Sequence, residues 1–355
     1  MIALLDDDAR ISVDAAIERA LSRLQRRAAP LGDGAKALTA ATAAAAADGK
    51  RLRPALVVAS YRAFGGGRDD DTTALWDVAA ALELLHTAFV VHDDLIDRDL
   101  ERRGIPNVAG RFRTRAQAFG AGPEQAAIVG DAAAVLAGDL LLFEAARLVA
   151  CCDVDETTRH ALLEIIDDAI LVSASGELAD VEHAARADYP DTDALLGAAH
   201  DKTAAYSFEA PLLAGAIMAG APAEARSRLS LAAADLGLAF QLVDDLIGTF
   251  GSRSQAGRDP GADLREAKRT PLIALARDTA AWPRVSSALA VAHTGPIAVR
   301  RAQRELEASG ARDHLVALID DRLRRARSRS ASPALPPAAV ALLAEVANAI
   351  EGRIP

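Results

Sequence analysis

The stretch LELLHTAFVVHDDLIDRDLERRG, residues 82–104, decides how the rest of the chain is read. Its first half is apolar at helical spacing; its second half gathers Asp93, Asp94, Asp97 and Asp99, then Arg102 and Arg103. That pattern predicts a helix that rises from the core and ends in charge. Asp93 and Asp97 stand four apart, so on a helix both carboxylates point to one side. Like charges one turn apart cost about 0.2–0.5 kcal/mol per pair, so such a cluster calls for something that offsets it.

Outward from this segment, the chain has 355 residues, 51% hydrophobic, 25% charged and only 4% aromatic. Alanine and leucine dominate, which predicts an aliphatic, helical core rather than a β-sandwich. The net charge of −10 argues against a nucleic-acid surface. Cys151 and Cys152 are adjacent and form no disulfide framework, which points to a reducing, cytoplasmic setting. The opening MIALLDDDAR is too acidic for a signal peptide. No uninterrupted apolar run is long enough for a transmembrane segment; AAAVLAGDLLLF is broken by Asp139.

Helical periodicity predicts helices over 13–29, 35–47, 52–63, 73–101, 123–150, 156–186, 192–219, 222–250, 268–279, 297–309, 312–328 and 337–351. Between them lie loop signals such as FGGGRDDD, RRGIPNVAG, ADYPDTD and FGSRSQAGRDPGAD. No linker divides two compositional halves. The expectation is one all-α domain over 1–355.

A counterpart to the first acidic end occurs in GLAFQLVDDLIGTFG, where an apolar helix delivers Asp244 and Asp245 with Gln241 one turn earlier. Carboxylates on two walls of one cavity suit Mg²⁺ that must also hold substrate phosphates. The alternative is a pair of solvated helix ends satisfied by nearby arginines. Basic residues stand where a phosphate ligand needs them: Lys50, Arg51 and Arg53 in GKRLRP, Arg102 and Arg103, Lys202 in KTAAYSFEA, and Lys268 and Arg269. His86 is either a substrate ligand or a satisfied core histidine. There is no P-loop, dinucleotide fingerprint, HExxH or G-x-S-x-G elbow.

Together these blocks resemble the trans-isoprenyl diphosphate synthases, the polyprenyl synthetase family. ELLHTAFVVHDDLIDRDLERRGIPN resembles that family's first aspartate-rich motif, and AGDLLLFEA, KTAAYSFEA and QLVDDLIG resemble later blocks in the family's order. The resemblance implies a helical bundle of the isoprenoid synthase type around a deep central cavity, a homodimer, and Mg²⁺ as cofactor. Carried over by residue, Asp93, Asp94 and Asp97 would serve one metal wall and Asp244 and Asp245 the other. Arg102, Lys202 and Lys268 would contact the allylic diphosphate. Lys50, Arg53, His86 and Arg103 would hold isopentenyl diphosphate, and Thr203 and Gln241 would steady the allylic cation. Ala88 and Phe89, a turn below Asp93, would bear on chain length. The allylic partner would be dimethylallyl, geranyl or farnesyl diphosphate. The first expected product is geranylgeranyl diphosphate, with farnesyl diphosphate next and a terpene cyclase on the same fold as a third reading. Three departures stand out: Gly248 replaces a third aspartate, Arg258 stands where lysine is usual, and the first motif lacks a two-residue insertion.

Overall fold

The computed structural model describes residues 5–47, 49–67, 72–186, 188–252, 255 and 260–355, and Arg258 lies outside them. The chain is all-α, as its composition requires. The helices are α1 (Asp7–Ala28), α2 (Asp33–Ala47), α3 (Leu52–Ala63), α4 (Thr73–Ile96), α5 (Val108–Ala118), α6 (Pro123–Cys151), α7 (Glu156–Ala185), α8 (Thr192–Ala199), α9 (Ala210–Met218) and α10 (Ala223–Phe250). Shorter and longer helices follow, among them Ala262–Arg265, Pro271–Arg277, Trp282–Leu289, Pro296–Ala308, Ala311–Ser330 and Pro337–Glu351.

Two expectations are corrected. The helix expected to run from residue 73 to residue 101 stops at Ile96, with Asp97 as its C-cap. Beyond it, Arg102 and Arg103 lie in a two-stranded hairpin that pairs Glu101 with Pro106 and Arg102 with Ile105. The turn residues Arg103 and Gly104 both have positive φ, 56° and 75°, which a tight two-residue hairpin turn requires. Finally, the helix expected over 192–219 changes pitch: His200–Glu209 is π-helical, between α8 and α9. Helices α5 and Trp282–Leu289 had no counterpart in the sequence reading.

The helices pack as two compact units. One comprises Ala3–Ile166 with Ala214–Gly220. At its core is α4, whose Leu75, Ala79, Leu84, Leu85 and Ala88 are fully buried against its neighbours α1, α3 and α6. The other comprises Asp167–Leu213 with Ala221–Pro355. Its centre is α10, with Leu236, Leu242 and Leu246 fully buried, packed on the π-helical segment and on the helices Ala311–Ser330 and Pro337–Glu351.

By length and composition, α4 and α6 could each cross a membrane. The apolar window of α4 is 72% buried, as in a core helix of a water-soluble protein, whereas that of α6 is 39% buried. Ile128, Val135, Leu136 and Phe143 of α6 are exposed, spaced seven and eight apart so that they form one face.

Candidate active site

In the first unit the site grows from the C-terminal end of α4. Asp93 and Asp97 are one turn apart, the Asp97 N–H donating to the Asp93 carbonyl at 2.8 Å. Asp94 is buried, 5% exposed, and turns toward the hairpin. The hairpin folds Arg102 back onto it: Nε and Nη2 donate to Asp94 Oδ1 at 2.9 and 2.6 Å, and Nη2 lies 3.6 Å from Asp93 Oδ2. Burial pushes the Asp94 carboxyl above its ordinary range, although Arg102 opposes the shift. Asn107 anchors the return of the chain, donating to the Asp99 carbonyl at 2.8 Å and capping α5 by accepting from the Gly110 N–H at 2.9 Å. His92 faces away, its Nε2 3.4 Å from the Val135 carbonyl of α6.

Two turns before Asp93 on the same helix lies His86. Its imidazole is pushed well below the usual histidine range, first by burial and then by Arg53, Arg102, Arg103 and Arg51. Four guanidinium groups therefore act on one turn of α4. Lys50 is exposed and Arg53 half-buried on the same short segment before and within α3. Ala88 is fully buried and Phe89 half-buried.

In the second unit the site combines α7, the π-helical segment and the end of α10. Lys202 donates to Glu177 Oε1 at 3.2 Å and to Asp180 Oδ2 at 3.0 Å, both on α7. The close crossing needs glycine: a Cβ on Gly176 would lie 2.2 Å from the Lys202 nitrogen, and one on Gly237 of α10 would lie 2.6 Å from Ala204 Cβ. Such departures from α-helical pitch recur at functional sites, and here one carries Lys202 and Thr203. Gln241 Nε2 donates to Asp245 Oδ1 at 3.0 Å. Asp245 is pushed well above the ordinary carboxyl range by burial, then by the charges of Asp263, Asp244 and Asp180. Arg353 pairs with Asp244 and lies 4.4 Å over the Phe240 ring. Lys268 Nζ stands 3.7 Å from Glu266 Oε2.

The departure at Gly248 has a structural counterpart. A Cβ there would lie 1.8 Å from Asp263 Oδ2, so the Asp263 carboxylate takes the space that a side chain at 248 would enter. Asp263 is 5% exposed and sits in the short helix Ala262–Arg265. Sequence reasoning missed Asp263, the Lys202 partners Glu177 and Asp180, and Arg353. Of these only the i, i+3 spacing of Glu177 and Asp180 left a signal.

Mg²⁺ requires hard oxygen donors, and it keeps waters and phosphate oxygens rather than demanding a protein cage. Among the described residues no three His, Cys, Asp or Glu side chains close on one point. What each unit offers is a small set of carboxylates with cations beside them: Asp93, Asp94 and Asp97 in one, Asp244, Asp245 and Asp263 in the other. That donor chemistry, together with the carboxylate lodged against Gly248, fits an ion shared with a phosphate ligand.

The Polyprenyl synthetase family model matches residues 35–295. A short chain isoprenyl diphosphate synthase of Methanocaldococcus jannaschii is 34% identical over 227 residues, 64% of this chain and 62% of the relative. A (2E,6E)-farnesyl diphosphate synthase of Mycobacterium bovis is 37% identical over 222 residues, 62% of this chain and 55% of the relative. The matched region thus spans under two thirds of these curated relatives. Among solved structures, a geranylgeranyl pyrophosphate synthase of Corynebacterium glutamicum, complexed with isoprenyl diphosphate and magnesium, superposes with a TM-score of 0.90 at 26% identity, covering 98% of this chain and 100% of that one.

Proposed function

The chain belongs to the polyprenyl synthetase family, and from that premise we propose that it is a short-chain trans-prenyltransferase joining isopentenyl diphosphate to an allylic diphosphate. One observation supports the reading: the positive charges of Arg53, Arg102, Arg103 and Arg51 all act on His86 of α4, while the acidic set of Asp93 and Asp97 occupies the end of the same helix. One helix thus offers a cationic seat for one diphosphate and a carboxylate seat for the metal that holds another. A terpene cyclase, whose substrate is a single diphosphate, has no use for the cationic seat.

Asp93 and Asp97, with Asp94 behind them, would hold Mg²⁺ in one unit, and Asp244, with Asp245 and Asp263, in the other. When bound, Mg²⁺ neutralises the diphosphate leaving group and so lowers the barrier to its departure. In the first unit Arg102, and in the second Lys202 and Lys268, are the cations suited to bind a diphosphate and to stabilise charge that develops on it. Lys50, Arg53, His86 and Arg103 bind isopentenyl diphosphate; the neutral imidazole of His86 donates a hydrogen bond without the cost of burying a further charge. Thr203 and Gln241 turn oxygen dipoles toward the allylic cation. The isopentenyl double bond attacks that cation, and the released diphosphate accepts the proton lost from the adduct. Phe89, half-buried one turn before Asp93, would stand beside the product chain, and apolar surroundings would keep water from the cation. The exposed face of α6 supports a homodimer, and a cytoplasmic setting suits water-soluble diphosphate substrates.

Geranylgeranyl diphosphate is the product proposed first, because alanine at position 88 leaves only Phe89 as a barrier; farnesyl diphosphate is the alternative, and the relatives carry both names. The test is incubation with Mg²⁺, isopentenyl diphosphate and each of dimethylallyl, geranyl and farnesyl diphosphate, followed by product-length analysis. Linear products that require isopentenyl diphosphate support the reading. Cyclic hydrocarbons formed without it would overturn the reading in favour of the cyclase.

A further inference from the structure

Lys50 and Arg53 flank a residue that behaves differently from both. Arg51 is 5% exposed and has a left-handed backbone, φ 54°. Its guanidinium makes four hydrogen bonds: Nε donates to Asp14 Oδ1 at 2.8 Å, Nη1 to Glu83 Oε1 at 3.0 Å and to the Ala46 carbonyl at 3.2 Å, and Nη2 to the Ala47 carbonyl at 3.1 Å. It therefore ties α1, the carboxyl end of α2 and α4 to one point. Glu83 is itself 4% exposed and stands three residues before His86 on α4. The fit is tight: a Cβ on Gly49 would lie 2.7 Å from Glu83 Oε1 and 2.8 Å from Arg51 Nη1.

A guanidinium stays charged when buried and offers donors in a rigid fork, so it fixes its partners in direction as well as distance. Arg51 is committed to those partners. What it determines is where its neighbours in sequence point. With the left-handed residue locked in place, the backbone that carries Lys50, just before it, and Arg53, in the first turn of α3, is held beside α4.

We propose that Arg51 is a positioning residue for the isopentenyl diphosphate subsite, holding residues 49–53 against α4 so that Lys50 and Arg53 meet the same anion as His86. This rests on the subsite assignment made under the proposed function. Its consequence is selective. Loss of the strut displaces the cations of one diphosphate site and leaves the aspartate-bound substrate in place.

The experiment combines steady-state kinetics in both substrates with calorimetric binding of isopentenyl diphosphate alone, which needs no turnover. Arg51→Met is paired with Glu83→Leu so that no buried charge is left without its partner. Lys50→Ala serves as the direct-contact control. A displacement of about 1 Å at such a site costs on the order of 100-fold, so the double variant should raise the KM and Kd for isopentenyl diphosphate about 30- to 100-fold, with the allylic KM held within about threefold. Arg51→Lys, which keeps a charge and loses the fork, should fall between. Equal rises in both KM values, tracking lost thermal stability, would show a merely structural role and overturn the proposal. Should the double variant fail to fold, Glu83→Gln weakens one arm of the strut alone, and an unchanged Kd for isopentenyl diphosphate in that variant overturns it equally. The control separates the two claims. If Lys50→Ala weakens isopentenyl diphosphate and the Arg51 variants do not, the positioning role fails and the subsite stands; if none of them does, the subsite itself is wrong.

Discussion

Replacing Gly248 with aspartate would restore the family's pattern, and it should destabilise this protein. A Cβ on Gly248 falls 1.8 Å from Asp263 Oδ2, against about 3.4 Å for ordinary contact, an overlap of 3.4 − 1.8 = 1.6 Å. Asp263 is 5% exposed, so turning its carboxylate aside disturbs the packing around it. Overpacking of this kind costs about 1–3 kcal/mol. The new carboxylate also joins Asp263 and Asp245, and Asp245 is already pushed upward by the Asp263 charge. Repulsion at such spacing adds a further amount on the order of 1 kcal/mol after relaxation. A total of about 2–4 kcal/mol corresponds to a fall in Tm of roughly 4–16 °C for a unit of this size. The assay is thermal unfolding, followed by circular dichroism in metal-free buffer. Adding Asp263→Gly to Gly248→Asp should recover most of the loss, a coupling well above the ~0.5 kcal/mol expected of independent sites. A single variant as stable as the parent, or a double variant with no recovery, would refute the claim that Asp263 occupies the vacated space.

Other expectations follow from the same geometry. Asp93→Ala and Asp244→Ala should each lower kcat/KM by orders of magnitude, and full turnover in chelator-treated protein would contradict the metal assignment. Arg103→Gly should raise Tm, because a non-glycine residue at φ 56° costs about 1–2 kcal/mol, yet raise the KM for isopentenyl diphosphate; a gain in stability with unchanged KM would remove Arg103 from the site. His86 has its folded pKa depressed, so its contribution to stability is present above the unfolded value of about 6.5 and is lost as pH falls toward the folded value. His86→Gln should flatten that acid limb, read as Tm against pH. Phe89→Ala should lengthen the products and Ala88→Phe should shorten them; unchanged profiles in both would place the cavity floor elsewhere.

The acidic pairs were legible because each follows a long apolar stretch near the C-terminal end of its helix, and that periodicity survives in α4 and α10. What followed Asp97 was not legible. The reading carried the helix on to residue 101, whereas the left-handed Arg98 and the Arg103–Gly104 turn redirect the backbone, and nothing in hydrophobic spacing encodes a positive φ at arginine. Helix α5 escaped because VAGRFRTRAQA buries little apolar surface, only Val108, Ala109, Gly110 and Ala116. Trp282–Leu289 escaped for the same reason, burying Val285 and Ala288 alone. The π-helical pitch at Lys202 was invisible since HDKTAAYSFE carries no hydrophobic period sharp enough to separate a π-helical turn from an α-helical one. The ion-pair partners, Glu177 and Asp180 for Lys202 and Arg353 for Asp244, come from remote parts of the chain, and their pairing is decided by packing.

The backbone strain has its own distribution. Among the described residues the non-glycine positions with positive φ are Arg51, Arg98, Arg103 and Ala267. Arg51 lies between Lys50 and Arg53, Arg98 follows Asp97, Arg103 is itself a candidate ligand, and Ala267 precedes Lys268. At about 1–2 kcal/mol each, these four positions hold strain comparable to a large share of a domain's net stability. Glycine would relieve it at every one. Three of the four keep arginine instead, and the tight hairpin that turns on Arg103 is what brings Arg102 back onto Asp94. Strain is retained where a cation must leave a sharp turn in a fixed direction, since a glycine there would relax the turn and release the cation beside it. Under the proposed assignment, diphosphate binding by the cations beside these turns would depend on loops less stable than they could be, and stabilising substitutions at these four positions should cost substrate affinity in proportion to the order they remove.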